Sequence, residues 1–180
     1  MAVLPILQIG APILRTPAIE VTRFDRSLGR LLDDMIETMR AAPGVGLAAN
    51  QVGRPERVCV IEIESHLWEL VNPVMLRTDG SQDDYEGCLS LAGYYAPTPR
   101  AMSASLEARD RHGKKLKLKG KGFLARAMQH ELGHLDGGLY IDLLASMDLL
   151  ERPEDPDRDK GNRAADTPGF IDERSTPGVE

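Results

Sequence analysis

The sequence contains few cysteines and no long apolar run. Its 2 cysteines, Cys59 and Cys88, cannot form the disulfide framework that stabilises many small secreted domains. The apolar N-terminus has no basic segment before it and is interrupted by Pro5 and Pro12, unlike a signal peptide or a membrane span. We therefore expect no membrane contact and a cytoplasmic location, where free thiols stay reduced.

The sequence also has no excess of basic residues. The net charge of −6 argues against direct binding to nucleic acid. The one basic run, Lys114 to Lys119, alternates lysine with leucine, which favours an exposed edge strand protected by lysines over an RNA-binding patch. The composition predicts one folded domain over residues 1–150 and a disordered, acidic, proline- and glycine-rich tail over residues 151–180.

Two segments have the periodicity of helices. Apolar residues recur at helical spacing over residues 25–42, where Asp25 or Ser27 can cap the start and Pro43-Gly44 ends the pattern. A second helix is predicted over residues 122–136. Apolar side chains surround most of it, so we expect it to be buried.

Strand patterns occupy much of the remaining chain. Residues 57–64 are rich in β-branched side chains, and residues 67–77 continue extended with a break at Asn72-Pro73. Residues 98–110 alternate apolar with polar side chains. A turn at residues 110–113 joins the last of these to the lysine strand as an antiparallel hairpin, and the acidic segment 78–84 is predicted to be a loop. The sequence therefore predicts an α+β fold, with antiparallel or mixed β-sheets packed around a central helix and one further N-terminal helix.

The central helix carries the motif QHELGH at residues 129–134. Histidines four residues apart share one face of a helix, so His130 and His134 can bind one metal ion while Glu131 reaches a water on that ion. These polar side chains would be costly inside an apolar helix unless a metal ion satisfied them. The motif thus predicts a metal-dependent hydrolase.

A hydrolytic metal site needs a third protein ligand and one position left for water. Cys88 follows Gly87 among polar residues and can face a cleft, whereas Cys59 is better interpreted as a buried, inert thiol. A thiolate ligand makes the ion a weaker Lewis acid, so iron(II) is as plausible here as zinc. A purely structural site would want four ligands, and only three can be found.

Residues 44–51, GVGLAANQ, are rich in small side chains that let the backbone approach a ligand or a neighbouring element. No G-K-[ST] follows and the rest of a dinucleotide fingerprint is missing, so a phosphate-binding loop is the poorer interpretation. The pattern predicts a tight turn that ends in the polar amide of Gln51.

Three segments, GVGLAANQ at 44–51, EGCLS at 86–90 and QHELGH at 129–134, stand in the order of the signature segments of peptide deformylases. The sequence resembles this family over about the first 150 residues, whereas the tail has no part in the resemblance. The resemblance implies an enzyme that removes the formyl group from N-terminal formylmethionine of nascent polypeptides and releases formate. It also implies one divalent ion, Fe²⁺ in the cell with Zn²⁺, Ni²⁺ or Co²⁺ as substitutes. The implied ligands are Cys88, His130 and His134.

The resemblance implies further roles around this ion. Metal-bound water would attack the formyl carbon with Glu131 as general base and later general acid. The side-chain amide of Gln51 and the backbone N–H of Leu89 would stabilise the oxyanion, and the backbone of Gly46 would hydrogen-bond the extended peptide. The candidates for the apolar pocket that takes the methionine side chain are Val45, Phe123 and Ala127.

The sequence departs from the commonest pattern of the family at three places, which bear on rate and peptide preference. Gly133 stands where aspartate is usual, Ala92 where proline is frequent, and Tyr94-Tyr95 where a basic residue is frequent. The acidic tail also replaces a basic helix that can dock on the ribosome in some members, which leaves transient ribosome association open. A zinc peptidase and a non-catalytic peptide-binding relative are the alternatives, and intact Glu131 and Gln51 argue against the second.

Overall fold

The computed structural model describes residues 2–152, which form seven strands and two α-helices. In chain order these are α1 (Arg26–Ala41), β1 (Gly46–Ala48), β2 (Val58–Ile63), β3 (His66–Asp79), β4 (Gln82–Cys88), β5 (Leu91–Arg100), β6 (Ser103–Arg109), β7 (Lys115–Lys121) and α2 (Gly122–Leu135). The predicted α+β fold, with an N-terminal helix and a second helix that carries the histidine motif, is confirmed.

The strands form two antiparallel sheets. The larger has the order β1-β2-β3-β6-β7, and the smaller consists of β4 and β5. The predicted β6–β7 hairpin is present, with Arg109 opposite Lys115 and Ser103 opposite Lys121. Because β7 is the last strand in the order, the lysine strand is an edge strand as predicted, and its charges oppose pairing with another chain.

Strand β2 lies between the two helices and is buried on both faces. Cys59 and Ile61 belong to the core that contains α2, whereas Val58 and Val60 belong to the core that contains α1. Successive side chains of a strand point to opposite faces, so this one strand joins both apolar clusters. Burial raises the pKa of Cys59 well above its usual value, which fits the predicted inert thiol.

Both helices follow from their local sequence. The Asp25 carboxylate accepts hydrogen bonds from the N–H groups of Ser27 at 2.8 Å and Leu28 at 3.3 Å, and so caps α1. The helix α2 is buried along most of its length, as its apolar pattern predicts. None of the helices in residues 2–152 has the length and apolar character needed to cross a membrane.

Strand β7 passes into α2 without a loop. Lys121 ends the strand and Gly122 begins the helix with a φ of 54°, a value that favours glycine. The N–H of Gly122 donates to the carbonyl of Met102 at 2.8 Å, and its carbonyl accepts from the side chain of Gln82 at 2.9 Å. The start of the helix is therefore fixed to both sheets.

Several strand boundaries differ from the prediction. The segment 78–84, predicted as a loop, contains the end of β3 and the start of β4, because β4 pairs with β5 along its whole length. The predicted strand 98–110 is divided between β5 and β6. The segment 44–51 is not only a turn, since Gly46–Ala48 pairs with β2 as a short edge strand.

An Asn72-Pro73 pair predicts a break in β3, but the strand continues through it. Asn72 adopts a φ of 52°, and the register against β6 shifts at this point, as in a β-bulge. The Asn72 side chain accepts from the N–H of Val21 and donates to its carbonyl, both at 2.8 Å, and so ties the bulge to the N-terminal segment. The tail beyond Arg152 lies outside the described residues.

Candidate metal centre and active site

Three predicted ligand side chains come together where β4 ends against α2. The Cys88 Sγ lies 3.2 Å from the His134 Nε2, which lies 3.2 Å from the His130 Nε2. All three ligand atoms lie within 4.8 Å of one another. Ligands about 2.1 Å from a tetrahedral ion are separated by about 3.4 Å, so this group has the dimensions of a metal site. A tetrahedral ion held by this cysteine and these two histidines would have one further position for water or substrate.

Local structure explains how the ligands meet. The two histidines are one helical turn apart on α2, and their rings lie 4.9 Å apart between centroids. The register between β4 and β5 shifts between Gly87 and Cys88. A bulge of this kind changes the direction of a side chain, and here it lies immediately before the ligand sulfur.

A buried carboxylate orients His130. Oε2 of Glu86 accepts a hydrogen bond from the Nδ1 of His130 at 2.8 Å, which leaves the opposite ring nitrogen available to a metal ion. Arg100 donates to both Glu86 oxygens at 2.8 and 2.9 Å, and Arg126 donates to one of them at 2.9 Å. Burial raises the pKa of Glu86, but hydrogen bonds from Arg100 and His130 outweigh it and lower the pKa to about 2.

The histidine pKa values differ for physical reasons. Burial lowers the pKa of His134 well below its usual value, so its imidazole is neutral, as a metal ligand must be. Burial also lowers the pKa of His130, but hydrogen bonds to Cys88 and Glu86 outweigh this and raise it to about 10.

Glu131 lies beside this cluster and is 4% exposed. Its Oε2 has no hydrogen-bond partner among residues 2–152, and burial raises its pKa to about 7. A carboxylate with a pKa near neutrality can both accept and return a proton. Gly46 in β1 makes room for it, because a Cβ atom at that position would lie 2.8 Å from the Glu131 Cδ.

The Gln51 amide is held in one orientation near the ligands. Its Oε1 accepts from the N–H of Ala48 at 2.8 Å, and its Nε2 donates to the Ser90 Oγ at 3.2 Å. The same Nε2 lies 3.5 Å from the Cys88 Sγ. The donor end of the amide is thus the end that faces the site. Leu89 follows the cysteine and touches the glycine-rich segment, since a Cβ atom at Gly44 would lie 2.8 Å from its Cδ1.

The three candidate pocket residues have unlike surroundings. Val45 is 40% exposed beside β1, Phe123 is half-buried at the start of α2, and Ala127 belongs to the apolar core one turn later. Their assignment to a methionine pocket remains a prediction. At Gly133, where the family usually has aspartate, a Cβ atom would meet no other atom within 4 Å.

Sequence reasoning missed the charged side chains around the ligands. Glu86 belongs to the EGCLS segment but was given no role, and Arg100 and Arg126 were not singled out. One signal could have identified Arg126, because it is a charged residue in an otherwise apolar stretch of helix, four residues before His130 and so on the same face. Its partner, 40 residues away in the chain, has no local signal.

Two histidines one helical turn apart, a cysteine and an adjacent buried carboxylate are the ligands and the base that a metal-dependent hydrolase requires. A family model of polypeptide deformylase matches residues 3–149. The peptide deformylase of Heliobacterium modesticaldum is 49% identical over 142 residues, 79% of this chain and 94% of that protein. The peptide deformylase structure from Legionella pneumophila has a TM-score of 0.79 and 40% identity, covering 81% of this chain and 88% of that one. That from Thermus thermophilus has a TM-score of 0.76 and 42% identity, covering 79% and 86%.

The chain therefore belongs to the peptide deformylase family, and its activity is the removal of N-formyl groups from peptides.

Proposed function

We propose that the substrates are nascent polypeptides with N-terminal formylmethionine, and that the protein acts on them in the cytoplasm without binding nucleic acid directly. The observation that carries the proposed mechanism is the position of Glu131, a buried carboxylate that follows the ligand His130 on α2 and whose Oε2 has no hydrogen-bond partner among residues 2–152. A group of this kind is suited to proton transfer.

The donor set of Cys88, His130 and His134 fits one divalent transition-metal ion. Such an ion, when bound, would act as a Lewis acid toward water and the formyl carbonyl. The family resemblance implies Fe²⁺ in the cell, with Zn²⁺, Ni²⁺ or Co²⁺ as substitutes, and thiolate and imidazole ligands suit each of these ions. Glu86 would keep the His130 ring in the orientation that binds the ion.

Glu131 accepts the proton of the attacking water and then delivers it to the α-amine that leaves. The Gln51 amide and the Leu89 N–H donate hydrogen bonds to the oxygen that becomes negative on the formyl carbon. The bond between the formyl carbon and nitrogen breaks, giving formate and a free N-terminal methionine. One water is consumed for each formyl group removed.

The peptide is bound in an extended conformation. Strand β1 is an edge of the larger sheet, so the backbone of Gly46 can hydrogen-bond a peptide that lies beside it as an added strand. Val45, Phe123 and Ala127 contact the methionine side chain in this proposal. The specificity for methionine would then come from an apolar pocket and the activity from the neighbouring polar groups.

The test begins with protein purified without oxygen, its metal content measured, and formate release followed from a formyl-methionyl peptide. Glu131→Gln is expected to keep the metal and lose at least about 100-fold in turnover, whereas Cys88→Ala is expected to lose the metal. Glu107→Gln, on the solvent-facing side of β6, is the matched control and should retain turnover. Cleavage of internal peptide bonds would instead indicate a peptidase, and binding without turnover a non-catalytic relative.

A further inference from the structure

All 4 tyrosines of the chain lie around the smaller sheet and the metal centre. Tyr85 is in β4, Tyr94 and Tyr95 are in β5, and Tyr140 follows α2 in a turn of 3₁₀-helix. The Tyr140 hydroxyl donates to the carbonyl of Tyr94 at 3.1 Å, and its ring stacks on that of His130 with 6.1 Å between centroids. Tyr94 and Tyr140 thus connect β5 directly to the ring of His130, a predicted metal ligand.

Residues 149–152, called here the C-terminal strap, lie along the outer side of β5, and Glu151 pairs with Tyr95 in a single β-bridge. The Tyr95 N–H donates to the carbonyl of Glu151 at 2.8 Å, and the Glu151 N–H donates to the carbonyl of Tyr95 at 2.7 Å. The Tyr85 hydroxyl donates to the Glu151 carboxylate at 2.9 Å, and the Arg152 guanidinium lies 5.7 Å from the centre of the Tyr94 ring. The strap therefore contacts three of the four tyrosines.

Tyr95 connects the strap to the second metal ligand. It lies opposite Gly87 in the β4–β5 pair, and its ring occupies the space in which Gly87 has no side chain. A Cβ atom at Gly87 would lie 2.6 Å from the Tyr95 Cε1. Gly87 precedes Cys88 at the register shift that directs the ligand sulfur, so a displaced Tyr95 would disturb that bulge.

We propose that the C-terminal strap positions the metal ligands: it fixes β5, which holds Cys88 through Tyr95 and His130 through Tyr140. The strap touches neither the ion nor the substrate, and its effect is transmitted by packing. The strap covers the outer edge of β5 in the two-stranded sheet. Such cover matters because an isolated pair of strands is only marginally stable in water. This inference rests on the metal centre proposed above.

The test compares metal release from full-length variants. Glu151→Pro removes the N–H that donates to Tyr95, whereas Met147→Pro is the matched control, because Met147 is exposed and occupies the first position of a 3₁₀ turn, where proline is tolerated. The dissociation of Co²⁺ into excess chelator is followed together with the cobalt–thiolate absorption band. Glu151→Pro is expected to release Co²⁺ about tenfold faster and shift the band. Met147→Pro should match the parent protein.

A second variant keeps the strap backbone and removes only its side-chain contacts. The double substitution Tyr85→Phe with Arg152→Ala is expected to release Co²⁺ about threefold faster. Glu151→Gln alone, which keeps an acceptor for the Tyr85 hydroxyl, should release Co²⁺ at the parent rate. Unchanged release and absorption in folded Glu151→Pro or, where it does not fold, in the double variant, would overturn the role of the strap. A parent protein that binds no Co²⁺ would overturn the metal centre itself.

Discussion

The two sheets of this protein are stabilised in different ways. The five-stranded sheet buries apolar side chains, and its strand β2 is apolar on both faces between the two helices. The two-stranded sheet instead contains a buried carboxylate, Glu86, which is 4% exposed and bound by two arginines. The larger sheet supplies most of the apolar burial and the smaller one holds a ligand and its hydrogen-bond partners. Stability and metal binding should therefore respond differently to substitutions in the two sheets.

The largest effect is expected from Glu86→Ala. Removal of this carboxylate leaves Arg126, which is 3% exposed, as an uncompensated buried charge, and the free energy of unfolding should fall by about 3–5 kcal/mol. Metal affinity should fall as well, because His130 loses its acceptor. Urea unfolding measures the loss of stability, and metal titration measures the loss of affinity. The control is Glu69→Ala, which breaks a less buried ion pair with Arg111 on the larger sheet; an equal loss of stability there would contradict the contrast.

Leu106→Ala tests the apolar sheet. Leu106 is fully buried in β6, so its truncation should lower the free energy of unfolding by about 3 kcal/mol through lost apolar contact and an unfilled cavity. Metal content and KM, measured well below the unfolding transition, should equal those of the parent protein. A loss of metal from the folded variant would show that the two sheets do not act separately.

Gly46→Ala should affect turnover far more than stability. The new Cβ atom would displace the Glu131 carboxylate, and a shift of about 1 Å in a catalytic group can lower the rate about 100-fold. Gly29→Ala is the matched control, because Gly29 lies on α1 with no atom within 4 Å of the added carbon. That control should raise stability by about 0.5–1 kcal/mol and leave turnover unchanged. Equal turnover of both variants in a formate-release assay would exclude a role for the small residue at 46.

The smallest effect is expected from Gly133→Asp, which restores the residue usual in the family. The side chain would enter open space, so metal content and turnover should stay within about twofold of the parent values. Gly133 lies in the last turn of α2, where a new negative charge is disfavoured by the helix dipole, and stability should change by less than about 1 kcal/mol. A larger gain in metal affinity would show that the missing aspartate matters to the site.

The same contrast explains how much the sequence could predict. The helix α2 and its ligand histidines were predicted because their spacing is local, and the helix α1 because its apolar residues repeat regularly. The start of β4, residues 82–84, lies in the segment predicted as a loop, because Asp83 and Asp84 are exposed and give it no apolar alternation. Its pairing depends on distant partners, such as the bond from Gln82 to the carbonyl of Gly122. Hydrogen bonding between residues that are distant in the chain cannot be predicted from a short stretch of sequence.

The candidate site shows the same limit. Each ligand was identifiable from a short motif, and their proximity confirms that part of the prediction. The contacts that adjust the ligands join residues far apart in the chain, as between Glu86 and Arg126 or between Gly46 and Glu131. These contacts depend on how α2 packs against both sheets, which periodicity alone does not specify.

Because β7 passes directly into α2, a change of backbone direction at Gly122 would tilt the catalytic helix as a whole. His130 lies eight residues further along, about 12 Å from Gly122. A tilt of about 5° would move the imidazole by about 1 Å, a distance that matters in an active site. Because no loop separates the lysine-rich edge strand from the helix, the direction in which the strand ends sets the direction of the helix that carries both histidine ligands.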